Sequence, residues 1–310
     1  MQRLTLDAPV PDHLRDAILA LGNFDGFHLG HQAVVGRAVQ RAAHERRPVI
    51  VGTFDPHPVR YFDPHTPPFR LTSLEQRERL FAQAGADAMV VFHFDAALAA
   101  TSAEDFIADL LAARIGAKGV VTGIDFTFGA NRGGNARVLA DLGARHGISA
   151  EAVVPVALDG VAVSSSRIRE ALVAGDPATA TRLLTRPFAI QGVVDHGDKR
   201  GRQLGYPTAN VALGSYLRPA YGVYAVRVRL DDGSEHAGVA NLGIRPSFDP
   251  PVELLETHLF DFSGDLYGRT IDVALHAFLR PEATFTDMDE LVRQMDADSD
   301  KARMLLSPPA

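Results

Sequence analysis

The pattern of apolar and polar positions changes character near residue 185. Before it, short apolar runs alternate with stretches of helical period. Ile18–Leu21 and Pro48–Thr53 are nearly all apolar and too short for helices, as strands buried on both faces are. Between them the spacing predicts an Ala/Val-rich helix from about His31 to His44. Further strands are expected at Met89–Phe92, Gly119–Thr122 and Val153–Val156, with a helix near Arg137–Arg145. Ser73 with Gln76, and Thr101 with Glu104, have the spacing of capping boxes and predict two more helix starts. Strand–helix alternation implies crossovers and a mostly parallel sheet, with ligands bound beyond the carboxyl ends of its strands.

After residue 185 the period shortens. Gly222–Leu230 alternates, and Asp231-Asp232-Gly233 is a tight-turn signal leading into a partner strand near Glu235–Ala240. Leu254–Phe262 and Thr270–Phe278 alternate or carry β-branched residues, and Met288, Leu291, Val292 and Met295 have helical spacing. About six short strands closed by one helix predict a small antiparallel barrel. The helical pattern of Ser164–Leu184 ends before Arg186-Pro187, so the expected domains are 1–182 and 183–310.

Composition narrows the function. A length of 310 residues suits two domains, and hydrophobic residues at 46% suffice for a core in each. With 31 basic against 38 acidic residues the net charge is −7, which argues against a nucleic-acid or anionic-membrane partner. The absence of cysteine removes disulfides, thiol catalysis and thiolate metal sites. No apolar run approaches the roughly 20 residues of a membrane helix, and the N-terminus lacks a signal-peptide pattern. The expectation is a cytoplasmic two-domain protein.

Two motifs read as phosphate sites. GNFDGFHLGH, from Gly22 to His31, stands where a strand hands over to a helix. Its glycines allow sharp turns, and His28 and His31 are spaced to share a face beside a helix N-terminus, where anions bind. SSSRIRE, from Ser164, sets hydroxyls and Arg167 at the opening of another helix. TFDPHP (Thr53–Pro58) and GIDFTFG (Gly123–Gly129) bring Asp55, Asp125 and phenylalanines to the sheet edge, where Phe54, Phe62 and Phe128 are able to flank a planar ring. In the second half, His196–Asn210 is a Gly/Lys/Arg-rich stretch that ends in Thr208 and Asn210, two neutral oxygens suited to Mg²⁺. Glu256, in the alternating strand LLETHLFDF, is a carboxylate among apolar neighbours, the setting of a general base.

Together these strings resemble the bacterial bifunctional riboflavin kinase/FMN adenylyltransferase family, also called FAD synthetases. The resemblance is collinear from Gly22 to the C-terminal helix and includes GYPTAN, GVANLGIRPSF, ETHLFDF and DLYG. It implies an α/β nucleotidyltransferase domain followed by a β-barrel kinase domain with a terminal helix. The barrel is then expected to phosphorylate riboflavin to FMN, with Glu256 as base, Thr208 and Asn210 holding Mg²⁺ and ATP phosphates, and Gly197, Lys199 and Gly201 in a loop over the nucleotide. The first domain is expected to adenylylate FMN to FAD with release of pyrophosphate. The resemblance implies ATP contacts for Gly22, Phe24, Asp25, His28, His31, Asp125, Ser164, Ser165 and Arg167, and flavin contacts for Phe54, Pro56, Pro58, Phe62 and Phe128. Asp125, Asn135 and Thr257 depart from residues common in the family. The expected partners are riboflavin, FMN and ATP. Oligomeric state is left open.

Overall fold

A computed structural model describes residues 1–195, 206–245 and 252–307. The chain divides into two compact units: one of Met1–Thr66 with Leu74–Ser164, the other of Pro67–Ser73 with the chain from Ser165 onward.

The first unit is built on a six-stranded sheet of β1 (Gln2–Thr5), β2 (Ile18–Leu21), β3 (Val49–Asp55), β4 (Ala88–His93), β5 (Gly119–Gly123) and β6 (Ser149–Val153). Its order is β1-β4-β3-β2-β5-β6, and every pairing is parallel. The period of two splits the strands between two cores. Leu19, Leu21, Ile50, Phe54, Val90 and Phe92 face one side, and Ile18, Ala20, Val49, Val51 and Met89 face the other. The second side is covered by α1 (Leu29–Glu45) through Val34, Val35, Ala38 and Ala42. The chain progresses outward from β2 through β3 to β4, then returns to place β5 on the other flank of β2. That reversal is a topological switch point, and it puts the ligand crevice beyond Leu21 and Gly123.

Two expected boundaries move. The last strand is Ser149–Val153 and not Val153–Val156, because an edge strand needs no continuous apolar run and this one is polar and partly exposed. The capping box is Ser102–Asp105, one residue later than Thr101–Glu104. Ser102 Oγ accepts from the Asp105 amide at 3.0 Å, while Thr101 closes α4 (Ala96–Ala100) and its Oγ1 donates to the Ala97 carbonyl. A short helix Ala103–Asp105 then continues as a π-helix over Phe106–Ile115, burying Phe106, Ile107, Leu111 and Ile115. The helix α2 (Pro58–Phe62) follows β3, α3 (Leu74–Gln83) precedes β4, and α6 (Ala136–Arg145) lies between β5 and β6. Counting Ala103–Asp105 as α5, these are the α-helices of the first unit, which also has 3₁₀ turns at Asp12–Leu14 and Ala130–Arg132.

In the second unit the expected helical stretch is two helices, α7 (Ser165–Val173) and α8 (Pro177–Leu184), separated by left-handed Gly175, with Pro177 opening the second. The barrel comprises β9 (Phe188–Asp195), β10 (Ala209–Ala212), β11 (Gly222–Arg229), β12 (Glu235–Arg245), β13 (Val252–Leu259) and β14 (Thr270–Pro281). It closes in the order β10-β13-β12-β11-β14-β9, so among the described residues the barrel has no open edge. The short hairpin Ala157–Leu158/Val161–Ala162 (β7, β8) belongs to the first unit. The terminal helix α9 (Met288–Leu306) packs Ala302 and Leu306 against Ala225 and Phe260 outside the barrel. The fold is therefore the expected one, a parallel α/β unit followed by an antiparallel barrel with a terminal helix.

Candidate active sites

In the first unit the chemistry collects at the switch point. His28 is the N-cap of α1, not a residue within its first turn. Its backbone is extended, and its Nδ1 accepts from the Gly30 amide at 3.1 Å and the His31 amide at 3.4 Å. Nδ1 is therefore unprotonated, and the neutral ring carries its proton on Nε2. The ring lies flat on His31, with centroids 3.6 Å apart and planes 17° from parallel. So the two imidazoles share a face as the spacing predicts, through a cap and a stack. The positive end of the α1 dipole lies beneath them. A side chain on Gly30 would meet the Val163 carbonyl at 3.8 Å, so the strand leading into Ser164 passes this helix N-terminus.

The same unit holds a cavity of about 1040 Å³ lined by Phe54, Pro58, Phe62, Phe94, Phe126 and Phe128 among other residues. Phe126 and Phe128 lie nearly parallel, 17° apart, with centroids separated by 6.0 Å. The Phe128 backbone bridges to Gly134, and any side chain there would sit 2.6 Å from the Phe128 ring. Glycine is the residue that lets the ring lie down. Asn23 adds a buried Oδ1 with no hydrogen-bond partner, and Arg132 brings an exposed cation to the same cavity.

The remaining expected contacts divide. Phe54, Pro58, Phe62 and Phe128 line the cavity, whereas Pro56 is not among its lining residues. Phe24 is 1% exposed, with its ring edge-on to His31 and to Phe81, and Asp25 is 2% exposed beside Arg77. Both point into the interior. Gly22 packs against the Phe24 ring, and Asp125 is exposed with its carboxylate over Gly123. Asn135 is the N-cap of α6, accepting at 3.0 Å from the amides of Arg137 and Val138. Ser164 ends the first unit, while Ser165 and Arg167 stand in the first turn of α7 in the second.

In the barrel the site is set by register. Val211, Leu255 and Leu242 form one cross-strand row, each 0% exposed, and so mark the interior. The next row, Asn210–Glu256–Asn241, points to the opposite face. The lateral neighbours of Glu256 are thus two amides, not the apolar side chains that adjoin it in sequence. Asn241 Nδ2 donates to Glu282 Oε1 at 3.3 Å, and the Asn210 Oδ1 is buried without a partner. Thr208 and Asn210 also line a cavity of about 420 Å³ with Asp265, Leu266 and Tyr267. His258 Nδ1 donates to the Pro207 carbonyl at 2.9 Å, fixing the chain just before Thr208 and β10. Gly197, Lys199 and Gly201 lie outside the described residues.

Sequence reasoning missed Asn23, Arg77, Asn241 and Arg132. Asn241 was legible in principle, since it alternates with interior residues, but only register reveals that it faces Glu256.

A histidine-capped helix at a switch point, an aromatic cavity in the same unit and a polar row on a closed barrel are the framework of a two-domain transferase. The FAD synthetase family profile matches residues 10–167, and the riboflavin kinase profile matches residues 184–306. The chain is 41% identical to the bifunctional riboflavin kinase/FMN adenylyltransferase of Pseudomonas fluorescens, over 97% of this chain and 96% of that one. It is 40% identical to the enzyme of the same name from Escherichia coli K12, over 92% and 91%. The chain belongs to this family of bifunctional riboflavin kinases/FMN adenylyltransferases. A crystal structure titled macrolide-efflux protein, from Streptococcus pneumoniae, matches with a TM-score of 0.86 at 31% identity, covering 98% of this chain and 99% of that one. Among the described residues, no helix is long and apolar enough to cross a membrane.

Proposed function

We infer that the chain makes FAD from riboflavin in two steps, with the functional domains divided at residues 182 and 183. The observation that carries the reading is the presence, in one chain, of profile matches to both activities, each spanning its own candidate site. In the barrel, riboflavin takes the γ-phosphoryl group of ATP. The ribityl 5′-oxygen forms a bond to the γ-phosphorus, the bond to the β-phosphate oxygen breaks, and ADP leaves with that electron pair. Glu256 accepts the hydroxyl proton.

Mg²⁺ suits the neighbouring donors, because Asn210 presents a buried amide oxygen without a partner and Thr208 lies two residues before it. A cation held by Thr208 and Asn210 would supply charge neutralisation for the ATP phosphates. Their own part would be to hold it, with Asn210 paired directly across from Glu256.

In the first domain an FMN phosphate oxygen attacks the α-phosphorus of ATP, and pyrophosphate leaves with the electrons of the broken bond. An anionic phosphate is already a nucleophile, so no general base is required. His28 through Nε2 and His31 stabilise charge growing on the phosphates, while Ser164, Ser165 and Arg167 hold the β- and γ-phosphates. The flavin ring is assigned to the cavity that Phe54, Pro58, Phe62 and Phe128 help to line, and the anionic end of FMN to Arg132 on the same lining. Both steps use ATP, consistent with a cytoplasmic location.

A chromatographic time course with riboflavin, ATP and Mg²⁺ tests the reading. FMN is expected first and FAD second, and chelation of Mg²⁺ is expected to stop both. FMN that accumulates without FAD confines the activity to the barrel.

A further inference from the structure

Arg77 lies on α3, outside every motif described above, and is 1% exposed. Its Nη2 stands 3.4 Å from Asp25 Oδ1, whose residue is 2% exposed. Its Nη1 donates to Thr53 Oγ1 at 3.0 Å and to the Asn23 carbonyl at 3.4 Å. Thr53 Oγ1 donates to that same carbonyl at 2.7 Å. One guanidinium thus ties together the turn after β2, the end of β3 and α3.

The turn it grips is a costly one. Its backbone is left-handed at Phe24 (φ 52°), Gly26 (φ 88°) and Phe27 (φ 46°). Glycine adopts this conformation freely, but aromatic residues do so only where their surroundings hold them. The rings of Phe24 and Phe27 pack edge-on against Phe81, also on α3, at 5.7 and 5.1 Å. The Phe27 carbonyl accepts from Gln32 Nε2 at 2.9 Å, and Phe24 abuts His31. The turn leads directly into His28. Charge points the same way, since Arg77 compensates a buried carboxylate three residues from the histidine meant to meet anions.

We propose that Arg77 is a positioning residue for adenylyl transfer, holding the left-handed turn that aims His28 and His31. It acts through its charge and its hydrogen bonds. The proposal rests on assigning adenylyl transfer to the first domain.

The test compares the full-length chain with Arg77→Met, Arg77→Lys and Thr53→Val. Each protein is assayed for FAD formation from FMN and for riboflavin phosphorylation, the latter as an internal control. Arg77→Met is expected to lower kcat for FAD formation by about tenfold or more, with KM for FMN within about threefold. Arg77→Lys keeps the cation and is expected to recover kcat to within about threefold of wild type, a rescue that a space-filling role does not predict. Kinase turnover should not move in any variant. Full kcat in a folded Arg77→Met protein overturns the proposal, and so does an equal loss in Arg77→Lys. If Arg77→Met does not fold, Thr53→Val decides: a fall in kcat at unchanged melting temperature supports the clamp, and an unchanged kcat overturns it. A wild-type control that makes no FAD overturns the functional assignment itself, and the proposal with it.

Discussion

In the parallel-sheet unit, His28, Phe54 and Phe128 arrive from the segments at the ends of three different strands, whereas in the barrel Asn210, Glu256 and Asn241 are placed by the register of three adjacent strands. The first arrangement depends on caps, turns and buried supports, because no ladder fixes a loop. The second depends on hydrogen-bonded pairing, in which a slip of one residue exchanges Glu256 for Thr257 on the outer face. The lesson is that remote packing residues, such as Arg77 and Phe81, matter more to the first site. Cross-strand neighbours matter more to the second. Each site can therefore be damaged while the other reports that the protein is intact.

The largest separation should come from Glu256→Gln. The substitution keeps size and hydrogen-bonding reach but removes the proton acceptor. Riboflavin phosphorylation is expected to fall by about a thousandfold, within the usual contribution of a general base, while FAD formation from supplied FMN stays unchanged. Retention of full kinase turnover removes Glu256 from that role. His31→Ala is the converse experiment. It leaves the His28 cap in place and removes one donor, so FAD formation should fall by roughly a hundredfold with the kinase untouched. Equal losses in both assays would point to a folding defect and defeat the assignment.

The same contrast explains what the sequence made legible. Both domains were readable because period and turn chemistry are local: ILAL and PVIVGT declare buried strands, and DDG declares a hairpin. The histidine motif was readable as a unit because its ten residues are contiguous. The polar strand Ser149–Val153 was not, since an edge position relaxes the apolar requirement that makes strands visible. Arg77 was invisible for a different reason. It reads as one more charged residue in LEQRERLF, and only the fold shows that it turns inward toward Asp25, 52 positions away in sequence. The surroundings of Glu256 were misjudged similarly, because its true neighbours are on other strands.

A smaller effect probes the barrel's interior against its working face. Thr257 is 0% exposed in the interior row with Ala209 and Ala240, and its Oγ1 has no hydrogen-bond partner. A buried hydroxyl without a bond costs about 1–3 kcal/mol. Thr257→Val keeps the branched shape and removes that cost. The barrel is expected to gain about 1 kcal/mol in chemical denaturation, with kinase turnover unchanged. A loss of stability would mean that the hydroxyl is satisfied in solution, for instance by a bound water. A change in turnover would mean that the interior row communicates with Glu256, and the separation of the two faces would fail.

The subtlest expectation concerns pH, and it belongs to the barrel alone. His276 falls where the register of β14 against β11 shifts, between Leu275, which pairs with Val226, and Ala277, which pairs with Ala225. Burial pushes its pKa below the usual 6.5, the Arg227 cation adds to the effect, and Glu235 opposes it. A histidine with a depressed folded pKa binds its proton less readily in the native state than in the unfolded chain. Between the folded value and 6.5 the unfolded chain therefore holds more protons, so stability rises with pH across that window. It is greatest above 6.5, declines as the pH drops through that value, and levels off once the folded state is protonated as well. His276→Gln removes the titration and keeps a polar side chain at the bulge. Melting temperatures measured from pH 5 to pH 8 should then fall less steeply on the acid side for the variant than for the wild type. Superimposable pH profiles would show that His276 titrates alike in both states, and that the register shift leaves it open to water.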